Sequence, residues 1–106
     1  MATGIIAGNV FAAGVVSITL DPASIGAATT SSQVFTVPGV RVGDVVTVNA
    51  PVALNAGLGV VNAFVTAADT VSVRFINATA GAIDPAAGTY LFYVTRPESV
   101  HVSFSP

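Results

Sequence analysis

The sequence predicts an all-β fold, a small antiparallel β-sandwich, jelly-roll-like, of about seven or eight short strands. Three observations lead there. Apolar residues recur with a period of two rather than 3.6. The β-branched residues Val and Thr number nineteen and eleven in a chain of 106, and such side chains suit a pleated surface. Pro, Gly and Asp punctuate the chain at short intervals, as turns between strands require. The length fits one domain over residues 1–106 and leaves no room for a second.

Taken in order, the first strand is expected near residues 4–10, and residues 1–14 read equally well as an N-terminal arm that orders on a neighbour. Residues 15–20 alternate Val16, Ile18 and Leu20 with Ser17 and Thr19. Asp21–Gly26 has turn chemistry, with Asp to cap local N–H groups, Pro at the second position and Gly at the exit. Ala28–Ser32 reads as an exposed connection leading into a strand at 32–37. Pro38-Gly39 then supplies the fixed φ and the positive φ of a type II turn. Gly43-Asp44 starts the next strand, 44–50, which drops Val46 and Val48 into the core.

Residues 59–66 and 70–77 form a hairpin across the short Ala-Ala-Asp-Thr connection. The first places Val61, Ala63 and Val65 on one face and Val60, Asn62 and Phe64 on the other. The second alternates Val71, Val73 and Phe75 with Ser72 and Arg74. Asp84–Gly88 repeats the Asp-Pro-Ala turn, and strand 89–95 alternates Tyr90, Phe92 and Val94 with Leu91 and Tyr93. A last strand, 100–104, alternates Val100, Val102 and Phe104 with His101 and Ser103. Strands 59–66 and 89–95 are apolar on both faces. Their second face is covered by a loop of the same chain or joins a subunit or partner.

Charge bounds the function. Three Arg, five acidic residues and no Lys make 8% of the chain charged, against roughly 25% in an ordinary soluble domain. Such a surface suits a protein packed against copies of itself or a larger partner. A net charge of −2 with no basic stripe argues against nucleic acid as a ligand. A membrane span is disfavoured too. The longest uncharged run, Val45–Ala68, carries Asn49, Pro51, Asn55, Gly57, Gly59 and Asn62, which a spanning helix would hold at high cost.

Candidates for chemistry are few. With no Cys and one His, His101, no metal-ligand spacing exists. Asp21, Asp44, Asp69 and Asp84 are far apart and each has a turn explanation, so no metal site is expected. No Gly-x-Ser-x-Gly elbow anchors a nucleophile, and Gly57-Leu58-Gly59 lacks the Lys and the helix of a phosphate loop. Asn77-Ala78-Thr79 matches the glycosylation acceptor pattern without a secretory context. The expectation is a chain with no catalytic residues and no cofactor.

Four motifs together form a recognisable set: Val37–Gly39, Gly43–Val46, Ala68–Thr70 and Asp84–Tyr90. Over about residues 34–96 the chain resembles a type of small virion protein of tailed bacteriophages. A stand-alone domain of this kind is similar to capsid decoration, or cement, proteins. The resemblance implies a non-enzymatic protein on the outer capsid surface that forms dimers or trimers, binds the major capsid protein and stabilises the shell. A receptor- or glycan-binding β module of a head or tail fibre is the alternative, using exposed aromatics such as Phe64, Tyr90 or Tyr93. The residues expected at an interface are Ile5, Ile6, Phe11, Arg41, Phe64, Tyr90, Phe92 and Tyr93.

Overall fold

The computed structural model describes residues 10–98. Within them the chain is all-β, with strands β1 (Val10–Leu20), β2 (Thr29–Thr36), β3 (Val45–Asn49), β4 (Leu58–Ala67), β5 (Thr70–Asn77) and β6 (Gly88–Pro97). They form two antiparallel three-stranded sheets, ordered β1-β6-β3 and β2-β5-β4. Every connection but the β4–β5 hairpin crosses from one sheet to the other, which gives the sandwich a jelly-roll-like winding. The expected strand at 100–104 and residues 4–9 lie outside the described residues.

The core is the meeting of the two inward faces. Val16, Ile18, Leu20, Val46, Val48, Tyr90, Phe92 and Val94 come from the first sheet. Phe35, Val60, Ala63, Val65, Val71, Val73 and Phe75 come from the second. Phe75 and Tyr90 are fully buried and meet edge to face, with ring centroids 6.3 Å apart at 89°. Phe35 meets Phe75 in the same way at 6.5 Å. Edge-to-face pairs of this kind add stability beyond the apolar area they bury.

Three expectations from the sequence are corrected. Tyr90 and Phe92 are core residues with no exposed surface, so they do not line an interface. Strand parity puts them inward, and the second apolar face of β6 is formed by Leu91 and Tyr93 instead. The alternation expected in 59–66 is broken by a bulge between Val60 and Asn62. The extra residue turns Val60 into the core beside Ala63 and Val65 and leaves Val61 exposed. Finally, Thr29–Ser32 is not a connection but the first half of β2. Its backbone pairs with β5 from Thr29↔Asn77 to Ser32↔Arg74, and ladder hydrogen bonds outweigh the loop-like composition of the run.

The turns behave as their residues require. Gly39 at φ 96° and Gly43 at φ 100° occupy the positive-φ positions of successive turns, Val37–Val40 and Arg41–Asp44. The Asp-Pro-Ala loops pack together at one end of the sandwich, where Ile25 and Ile83 exchange both backbone hydrogen bonds at 2.8 and 3.0 Å. Gln33 imitates a backbone unit there, donating to the Ala23 carbonyl at 3.0 Å and accepting from its N–H at 2.8 Å.

Asn77 fastens the same end. Fully buried, its Nδ2 donates to the carbonyls of Ile25 (3.1 Å) and Gly81 (2.9 Å). Its Oδ1 accepts from the backbone N–H and the hydroxyl of Thr79, at 2.9 and 2.7 Å. The acceptor-pattern Asn is therefore a structural residue whose amide protons are both engaged inside the fold. Replacing Asn77 by Ala removes four hydrogen bonds at a fully buried position, each contributing about 0.5–1.5 kcal/mol. Asn77→Ala is expected to lower unfolding free energy by about 2–3 kcal/mol, measured by urea denaturation, with the loop at Thr79–Gly81 losing protection from amide exchange first.

Candidate functional site

The segment Pro38–Asp44 is held from two sides. The β4–β5 hairpin reaches it through Asp69, whose carboxylate accepts the Gly39 N–H at 2.7 Å. The Asp69 backbone also accepts from Val37 N–H and donates to the Val40 carbonyl, both at 2.9 Å. This geometry places Asp69 at φ 59°, a left-handed conformation that Asp tolerates better than most residues. From β6, Arg96 grips Asp44 in two parallel hydrogen bonds, Nε to Oδ1 at 2.9 Å and a terminal nitrogen to Oδ2 at 2.8 Å. The same terminal nitrogen donates to the Gly39 carbonyl at 2.8 Å.

Asp44 accepts three hydrogen bonds at a nearly buried position. Its side chain is 2% exposed, and it accepts the Arg41 N–H at 2.9 Å besides the two bonds from Arg96. The Arg96 guanidinium holds its carboxyl below the ordinary value of 3.8, outweighing the opposing effect of burial. The same partnership raises Arg96. A general base works best with a pKa near the working pH, so this carboxylate is a structural clamp. Sequence reasoning gave Asp44 its cap but missed Arg96, because the two are 52 residues apart and no local pattern links them. Among the described residues, no group of three acidic or His side chains is placed to hold a metal ion.

The larger features are the two outward faces. On the first sheet, cross-strand rows run Ala13–Thr95–Val45, Val15–Tyr93–Thr47 and Ser17–Leu91–Asn49. Every one of these side chains is uncharged, and Val15 and Tyr93 at its centre are 63% and 48% exposed. On the second sheet the rows are Ser32–Arg74–Asn62 and Val34–Ser72–Phe64. Here a charge, Arg74, stands among the rows, and Val34 is 64% exposed. Arg74 lies 5.8 Å from the Phe64 ring centroid and donates Nε–H to Ser32 at 3.0 Å, while Ser72 is buried between its neighbours.

Of the expected interface residues, Tyr93 belongs to the first face and Phe64 to the opposite one. Phe11 is 71% exposed at an irregularity near the start of β1, and Arg41 is exposed on its turn. Ile5 and Ile6, like His101, lie outside the described residues. The structure thus does not gather the aromatics into one groove.

The fold and its outward faces define the chain as a two-layer β-sandwich in which the central rows of one outward sheet face carry no charge. No family model, no curated protein and no solved structure matches it.

The clamp carries a pH prediction. A carboxylate with a depressed native pKa contributes stability that is fully present above its unfolded value and lost as pH falls through its folded one. The stability difference between wild type and Asp44→Asn is therefore expected to be constant near neutrality. It should shrink as pH drops below about 4, in urea titrations repeated across pH 2–7.

Proposed function

We propose that this chain is a non-enzymatic structural protein that acts by docking a neutral β-sheet face onto other protein surfaces, as a capsid decoration protein does. The observation that carries the reading is the outward face of β1-β6-β3. It holds Val15, Val45, Leu91 and Tyr93 among Ser, Thr and Asn, with no charge in its three central rows. Contiguous exposed apolar surface of this kind marks interaction sites on soluble domains. Aromatic and aliphatic anchors set among small polar residues suit the centre of an interface.

The resemblance over residues 34–96 to tailed-phage virion proteins supplies the partner class: copies of the chain and the shell of a major capsid protein, on the outside of the virion. Cement function asks for many weak contacts repeated over a lattice, where multivalency raises occupancy without any single tight site. A glycan-binding role has less support, since Tyr90 is internal and Tyr93 and Phe64 face opposite ways.

Purified particles carrying this chain are expected to hold it at a copy number matching the major capsid protein, by quantitative mass spectrometry of intact capsids. A few copies per particle would overturn the decoration reading. Tyr93→Glu, which puts a charge in the middle of the face without touching the core, is expected to reduce retention on shells about tenfold or more while leaving the circular dichroism spectrum unchanged.

A further inference from the structure

Sheet edges separate β1 from the other strands. Each edge strand presents unpaired backbone N–H and C=O groups, and folded proteins protect such edges with bulges, charges, brevity or cover. Three of the four edges here are protected. β3 has five residues and lies against β4 where the two sheets meet. β4 is interrupted by irregularities at Val60/Asn62 and Val65/Ala67. β2 is composed mostly of Ser, Thr and Gln, and its Gln33 draws the 21–26 loop alongside.

β1 has almost none of these devices. Its eleven residues, VFAAGVVSITL, contain no charge and no Pro, and its one irregularity is confined to Val10/Ala12. Among the described residues it pairs with β6 alone. From Ala12 onward it presents a regular, neutral edge.

We propose that β1 pairs antiparallel with β1 of a second copy, about a two-fold axis at Val15, joining two three-stranded sheets into one six-stranded sheet. Directly opposed residues in an antiparallel pair share a face. A two-fold axis normal to the sheet therefore pairs odd positions with odd and even with even. Centred on Val15, the register sets Gly14 against Val16, Ala13 against Ser17 and Ala12 against Ile18. Each pair flanking the axis opposes a smaller residue to a larger one, so the strand is complementary to itself in size, and no charge opposes the pairing. The overlap of seven residues is about 24 Å long.

The same axis extends the docking face. Because Val15 is level with Tyr93 and Thr47, the central row becomes Thr47, Tyr93, Val15 and the same three from the second copy in reverse. A two-fold pairing also selects a dimer over a trimer, since an isologous edge contact closes on itself. This inference deepens the self-association in the proposed function but uses no shell contact, so loss of capsid binding and loss of pairing are read in separate experiments.

The test uses the full chain without capsid. Sedimentation equilibrium is expected to give a dimer. Val15→Glu, at an exposed position, should give a monomer with an unchanged far-ultraviolet spectrum, and an equimolar mixture of V15E and V15K should restore the dimer. Because the chain has no Cys, Val15→Cys introduces a single thiol at the axis. Mild oxidation should link it into dimers far faster than it links Ser32→Cys on the outward face of the second sheet. A monomeric wild type, a V15E protein that still dimerises, or equal cross-linking of V15C and S32C would overturn the pairing. β1 amides protected from exchange in a monomer would assign the edge to another segment of the same chain, and would overturn it equally.

Discussion

The contact between Phe75 and Tyr90 is the constraint on which the sandwich depends. Each ring comes from the middle strand of its own sheet, β5 or β6, and both are fully buried. A three-stranded sheet has little stability alone, because one face must be removed from water before its strands offset the entropy of ordering. Phe75 and Tyr90 supply bulk at the point where each sheet is flanked on both sides, and Phe35 packs edge to face on Phe75 within the same buried cluster. The Tyr90 hydroxyl, which finds no protein hydrogen-bond partner in this core, has its pKa raised by burial. The ring is there as an apolar body.

The inward residues of β1, β3 and β5 were legible from alternation alone, since a period of two in a half-buried strand has one solution, whereas β6 is apolar on both faces and offered two. The β4–β5 hairpin and the Pro38-Gly39 turn were legible for a different reason: their residue types are demanded by local φ values. What could not be read was non-local. Val60 entered the core because a bulge added one residue to β4, and Gly59 beside it is a signal for a bulge that does not fix its position. The Thr-Ser run of β2 became strand because β5 offered it partners. Tyr90 and Phe92 were expected at an interface because both faces of β6 are apolar and parity alone does not choose between them.

The clamp between Asp44 and Arg96 shows the same division. The sequence reveals Asp44 as the residue closing a turn, and its bond from the Arg41 N–H fits that role. Arg96 gives the turn its second function. By holding Asp44 and the Gly39 carbonyl together, it ties the entry to β3 to the far end of β6, while Asp69 ties the same loop to the β4–β5 hairpin. Each sheet therefore anchors one side of residues 37–44. A loop fixed by both layers resists sliding of one sheet over the other, which edge-to-face rings alone would oppose only weakly.

The few charges of the chain are distributed in a way that bears on function. Among the described residues, Asp44 and Arg96 neutralise each other, Asp69 is engaged with a backbone N–H, and Arg74 is held by Phe64 and Ser32. The others, Asp21, Arg41, Asp84 and Glu98, sit exposed in turns or just beyond a strand end. None falls on the outward face of β1-β6-β3 or along the β1 edge. In a monomer that must remain dispersed, strand positions such as Ser17, Thr47 or Thr95 would be inexpensive places for Lys or Glu, because they touch no core residue and charge there would discourage edge-to-edge contact. A chain that leaves these positions neutral while confining its charges to loops keeps one face and one edge compatible with a protein partner. On the reading proposed above, the neutrality of this surface is the feature that suits it to a partner.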